Sequence, residues 1–174
     1  MKKILIVVDM QKDFVDGALG SKEAAAIVPA AVQRIQDFEG EIFVTLDTHF
    51  ASYLDSAEGR KLPVPHCVKD TEGWQLNGAI QAALEGKRFT AVEKHSFGSM
   101  ELPRLIRDAV GKEPCEIELL GLCTDICVVS NALILKAAFP EAVIAVDEAC
   151  CAGVTPDGHR AALKVMESCQ IDIH

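Results

Sequence analysis

The sequence predicts a single doubly wound α/β domain with a mostly parallel sheet of five or six strands. Two observations predict it. Short β-branched, near-continuously apolar runs alternate with longer stretches of helical periodicity, the pattern of a parallel sheet covered on both faces. The alternation also runs the length of the 174 residues with no linker, repeat or low-complexity tract, so residues 1–174 read as one domain.

The elements follow in order. Lys3–Asp9 (KILIVVD) is a strand ending in a carboxylate. Ala24–Phe38 carries Ile27, Val28, Ala31, Val32 and Ile35 at helical spacing. Glu41–Asp47 (EIFVTLD) is a second strand ending in a carboxylate. An irregular segment runs from Thr48 to Gly73; so long a coil inside a compact domain usually serves function. Leu76–Leu84 is a short helix, Phe89–Lys94 a strand and Leu102–Val110 an amphipathic helix. Cys115–Gly121 is a strand, Asp125–Phe139 a buried helix and Ala142–Asp147 a strand. Pro156–Ser168 is a helix, and Gln170–Ile173 reads as a last strand.

Hydrophobic residues make up 49% of the chain, enough for a real core, and the net charge is −9. That charge argues against nucleic acid or an anionic membrane as partner, because phosphate-rich surfaces need a positive face. Asp9 cuts the apolar run Ile4–Val8 too short for a secretory core or a membrane span, so a soluble, cytoplasmic protein is expected. The seven cysteines match no disulfide framework and are expected to stay reduced, most of them as small core residues.

In open α/β sheets, ligands bind beyond the carboxyl ends of the strands. The residues expected there are Asp9, Asp47, Lys94 and the turn GLCTDIC at 121–127, all polar or reactive. Within that turn Cys127 is the better nucleophile. Capping by Thr124 or Asp125 would place it in the first turn of a helix, where the dipole favours thiolate. Asp9 can accept the thiol proton, and Lys94 can hold carboxylate and thiolate together. Cys123 and Cys127 alone lack the ligand count of a structural zinc site. Asp47 and His49 lie two apart at a strand end and so face the same way. With His66, beyond a loop holding Asp55 and Glu58, they form a set suited to zinc, manganese or iron. The alternative is that His49 and His66 are solvated loop histidines.

DMQKDF at 9–14, DTH at 47–49, PHC at 65–67, EKHSF at 93–97 and GLCTDICV at 121–128 together resemble the isochorismatase-like cysteine hydrolases, and most of all nicotinamidases. The resemblance implies a catalytic set of Asp9, Lys94 and Cys127. It implies a cis peptide between Leu122 and Cys123, with the N–H groups of Cys123 and Cys127 forming an oxyanion hole. It implies a divalent metal on Asp47, His49 and His66, zinc foremost, with Glu58 as the added ligand and Asp55 second. Phe14, Phe97 and Leu122 would contact the substrate, with Trp74 as a further stacking ring. The implied reaction converts nicotinamide to nicotinate and ammonia through a thioester. Hydrolysis of another small amide or ureido compound is the alternative within the family, and a non-catalytic binding module the alternative outside it. A homo-oligomer is compatible with such a domain.

Overall fold

The computed structural model describes residues 1–174. Six strands form one parallel sheet in the order β3-β2-β1-β4-β5-β6. They are β1 (Lys2–Val8), β2 (Glu41–Asp47), β3 (Phe89–Lys94), β4 (Cys115–Leu122), β5 (Val143–Ala152) and β6 (Asp172–Ile173). The helices are α1 (Lys12–Val15), α2 (Lys22–Asp37), α3 (Ala57–Lys61), α4 (Gly78–Leu84), α5 (Leu102–Val110), α6 (Val129–Ala138) and α7 (Pro156–Ser168). The winding runs outward from β1 to β3, then restarts at β4 and runs the other way. The switch point therefore lies between β1 and β4, where Asp9 and Cys123 emerge.

Two apolar layers cover the sheet. Ile4, Ile6 and Val8 of β1 face the layer with Leu102, Ile106, Leu135 and Met166; Leu5 and Val7 face Ala31, Ile35, Ile80 and Leu84 on the other. The alternation follows from the two-residue period of a strand and explains why β1 is apolar at every position from Ile4 to Val8. Gly121, at φ +123°, sits where β4 crosses closest to β1: a Cβ there would fall 2.1 Å from the Val8 carbonyl oxygen. Only glycine allows that approach at the switch point.

The structure alters several boundaries. The segment Thr48–Gly73 is not coil throughout; it holds a 3₁₀ turn at Tyr53–Asp55 and helix α3, whose Ser56 side chain caps the Gly59 N–H. DMQKDF contributes a one-turn helix, α1, that no periodicity announces. The β5 strand extends to Ala152 because a register shift beside Leu119–Gly121 carries pairing past Asp147. Thr124 and Asp125 do not cap α6. That helix is preceded by a π-helical turn, Thr124–Val128, in which the Val128 N–H reaches back to the Cys123 carbonyl at 3.1 Å. Both side chains are used elsewhere: Thr124 Oγ1 lies 2.8 Å from His159 Nδ1, and Asp125 Oδ1 accepts from the Val154 N–H at 3.0 Å. No helix is long and apolar enough to cross a membrane. All seven cysteines are free thiols.

Candidate active site

The carboxyl ends of β1, β2, β3 and β4 bring Asp9, Asp47, Lys94 and the Cys123–Cys127 turn to one place. Asp9 adopts φ +49°, a rare conformation for a side chain with a Cβ, which bends the chain sharply as it leaves β1. Its carboxylate is fully buried. Thr45 Oγ1 donates to Asp9 Oδ1 at 2.6 Å, and Lys94 Nζ lies 2.6 Å from Oδ2. Oδ2 has no aligned hydrogen bond, so beyond this ionic contact it stays open to a further proton. The same ammonium donates to Cys127 Sγ at 3.4 Å, to the Ser96 carbonyl at 3.1 Å and to Asp47 Oδ1 at 3.3 Å.

One buried cation thus faces three groups able to carry negative charge. Burial raises the Asp9 carboxyl above its ordinary value, Lys94 opposes the rise, and Asp47 adds to it. Burial also raises the Cys127 thiol, with Asp9 adding and Lys94 opposing. Lys94 is pulled the other way by burial, but the negative charge of Asp9, Cys127 and Asp47 outweighs this and keeps it protonated. Burial disfavours charge on both Asp9 and Cys127, and a single ammonium serves the two, which favours one proton kept between them. Alkylation of Cys127 by iodoacetamide, in the absence of substrate, should therefore keep accelerating above the pH at which an ordinary thiol has ionised. A rate that levels off at or below that pH would contradict this.

Asp47 joins this group to a second one. Its Oδ2 lies 3.0 Å from His49 Nε2 and 3.6 Å from His66 Nε2, and Glu58 Oε1 is 3.7 and 3.6 Å from the same two nitrogens. The donor atoms of Asp47, His49, Glu58 and His66 all lie within 4.8 Å of one another. His66 Nδ1 is 2.8 Å from the Val64 carbonyl, which assigns the proton to Nδ1 and turns the Nε2 lone pair toward the cluster. Two carboxylates and two imidazoles converging in this way fit a divalent metal such as zinc. Asp55 is exposed and stands outside the cluster, so of the two loop carboxylates Glu58 is the one brought in. Although burial alone would raise it, the Asp47 carboxyl is held below the usual carboxylate range by the two imidazoles and Lys94.

Two buried polar residues, Gln11 and Thr45, and the half-buried Asp13 hold this geometry, and residue spacing alone does not single them out. The Gln11 side chain pairs with both sides of the Asp47 peptide: Oε1 accepts from the Asp47 N–H at 2.8 Å and Nε2 donates to the Asp47 carbonyl at 2.9 Å. Thr45 orients Asp9. Asp13 Oδ2 accepts from the Cys67 N–H at 2.8 Å, fixing the loop that carries His66. The signal available was a run of polar residues, Asp9, Gln11 and Asp13, spaced by two directly after the apolar run Ile4–Val8. Asp13→Ala should loosen that loop and lower zinc affinity by about 10–100-fold, the usual scale for losing a residue that braces a ligand; competition with a chromophoric chelator would read it.

A cavity of about 480 Å³ opens over both groups, lined by Cys123 and Cys127 on one side and by Asp47, Glu58 and His66 on the other. Phe14, Phe97 and Leu122 also line it. Trp74 does not. Its indole N–H donates to Thr48 Oγ1 at 2.9 Å, so the ring is committed on the far side of β2 and cannot stack on a ligand here. The Leu122–Cys123 peptide is cis. Burial pushes the Cys123 thiol up to about 12, leaving it neutral.

Residues 3–173 match the isochorismatase domain, and the chain belongs to the isochorismatase family of hydrolases. Over 151 residues it is 30% identical to an uncharacterized isochorismatase family protein, PncA, of Bacillus subtilis, covering 76% of this chain and 78% of that one. Its fold superposes on the crystal structure of the nicotinamidase/pyrazinamidase PncA from Bacillus subtilis with a TM-score of 0.85, at 28% identity over 99% of each chain. It superposes equally on the pyrazinamidase of Pyrococcus horikoshii in complex with zinc, with a TM-score of 0.83 at 24% identity over 100% of this chain and 99% of that one.

Proposed function

We propose that this protein hydrolyses nicotinamide to nicotinate and ammonia, with Cys127 as nucleophile, Asp9 as proton carrier and Lys94 as their shared counter-ion. One observation carries the reading: a single cavity is lined by the Cys127 thiol, by three members of a metal-ligating group and by two phenyl rings. A flat heteroaromatic amide offers a partner for each. Its carbonyl carbon meets the thiol, its ring packs against Phe14 and Phe97, and its ring nitrogen is a ligand for a metal.

Asp47, His49, Glu58 and His66 would hold the divalent ion, which supplies Lewis acidity toward that nitrogen and so orients the carboxamide. The remaining chemistry belongs to the chain. Asp9 takes the thiol proton as Cys127 sulfur bonds to the carbonyl carbon. The N–H groups of Cys123 and Cys127 receive the oxyanion. Collapse of the tetrahedral species breaks the C–N bond, and Asp9 returns the proton to the departing nitrogen, releasing ammonia. Asp9 then removes a proton from water as the water oxygen attacks the thioester, the C–S bond breaks as that proton goes back to sulfur, and the acid product gives its remaining proton to solvent or ammonia to leave as nicotinate.

Ammonia release from nicotinamide, measured with and without prior chelation, tests the reading. Release that falls on chelation and recovers with zinc supports it. No release from protein whose Cys127 still alkylates would move the substrate to another small amide or ureido compound. His49→Ala should also lower bound zinc; an unchanged metal content would remove the assigned ligand set.

A further inference from the structure

Asn131 lies on α6, one turn beyond Cys127, and neither a nucleophile nor a ligand role uses it. It is fully buried and its amide is committed on both sides. Nδ2 donates to the Cys127 carbonyl at 2.8 Å and to the Phe97 carbonyl at 3.3 Å, and Oδ1 accepts from the Ser99 N–H at 2.9 Å. Two of the three bonds cross to the loop that follows β3, and the third fixes the peptide of the nucleophile itself. Ser99 continues the chain of contacts, its Oγ accepting from the Leu102 N–H at the start of α5.

A second observation places the same loop against the same helix. Gly98 packs so closely on α6 that a Cβ there would fall 2.5 Å from Ile134 Cδ1 and 3.4 Å from Ser130 Cβ. Phe97 begins this pinned stretch, its own carbonyl being one of the attachments. The residue is 46% exposed and lines the cavity, so packing alone does not hold it. Its position follows from where its backbone is pinned.

From this geometry we infer that Asn131 is a positioning residue: it sets the distance between the Phe97 wall and the Cys127 sulfur, and so presets the width of the slot that takes the substrate ring. The inference rests on the reading of Phe97 as a substrate wall. A preset wall strengthens ground-state and transition-state binding alike, so its loss appears mainly in KM.

The test compares Asn131→Ala, Phe97→Ala and the double variant. Asn131→Leu is carried alongside because it fills nearly the same volume with no donor, acceptor or charge, so it leaves no cavity and guards against a variant that fails to fold. Asn131→Ala and Asn131→Leu should each raise KM for nicotinamide about five- to tenfold with a smaller change in kcat, the scale of one to two hydrogen bonds. In the double variant the KM effect should not exceed that of Phe97→Ala, because Asn131 acts through that ring. Additive effects, or a loss confined to kcat, would overturn the inference. Hydrogen exchange of the amides at 97–99 gives a readout free of substrate: faster exchange in Asn131→Ala with α6 unchanged supports the clamp, and unchanged exchange at 97–99 refutes it. Failure of wild-type protein to hydrolyse nicotinamide would strike the proposed substrate and leave this exchange result standing.

Discussion

Cys127→Ala is expected to reduce ammonia release from nicotinamide by at least about 10⁴-fold, the scale of removing a nucleophile from a site that otherwise retains its binding groups. The fold should survive, because the thiol is small and the backbone around it is held by Asn131 and the π-helical turn. Cys123→Ala provides the contrast. Both sulfurs line the cavity, yet only Cys127 contacts Lys94. Cys123→Ala should keep most of the activity, since its assigned role is the N–H. Equal losses in the two variants, or full activity in Cys127→Ala, would remove Cys127 from the proposed mechanism.

Lys94→Met is expected to lose activity and a large part of its stability together. Lys94 is 3% exposed, and its ammonium is the one cation within ion-pair reach of both Asp9 and Asp47. Removing it leaves the fully buried Asp9 carboxylate without a cation, at a cost of about 3–5 kcal/mol. Urea unfolding of the chelated protein would measure this. The pH dependence has a definite sign. The Asp9 carboxyl is already raised above its ordinary value of 3.8 by burial, and loss of Lys94 raises it further. The folded state then binds more protons than the unfolded one, so stability falls as pH rises through the window above 3.8 toward the folded-state value. The deficit of Lys94→Met should shrink as pH is lowered through that window. A deficit independent of pH would show that its origin is packing rather than charge.

The one-residue-in-two logic of a strand and the apolar content of β1, β2 and β4 made the parallel sheet legible before any coordinates, because a strand buried on both faces has no other way to be written. The same patterns placed Asp9, Asp47 and Lys94 at strand ends, and Asp47 and His49 on one side of the chain. What the pattern does not carry is contact across long separations in sequence. Gln11 reaches Asp47 36 residues away, Asp13 reaches Cys67 54 away, and Asn131 reaches Phe97 34 away. In sequence each of these is a polar residue like many others on the surface. Their burial, and with it the need to satisfy every donor and acceptor, arises only when the elements pack. The cap assigned to Thr124 and Asp125 failed for the same reason. Residues of the cap type stand before an apolar helix, but α7 and the Val154 loop lie close enough to claim their side chains first. Trp74 was likewise drawn to Thr48 rather than to the cavity. The sequence by itself determined the sheet, its two apolar faces and the reactive residues at its carboxyl edge, because these depend on local periodicity. Only the tertiary structure decided which loop carboxylate joins the histidines, which rings line the cavity and which buried amides hold them, because those depend on distances that chain packing alone sets.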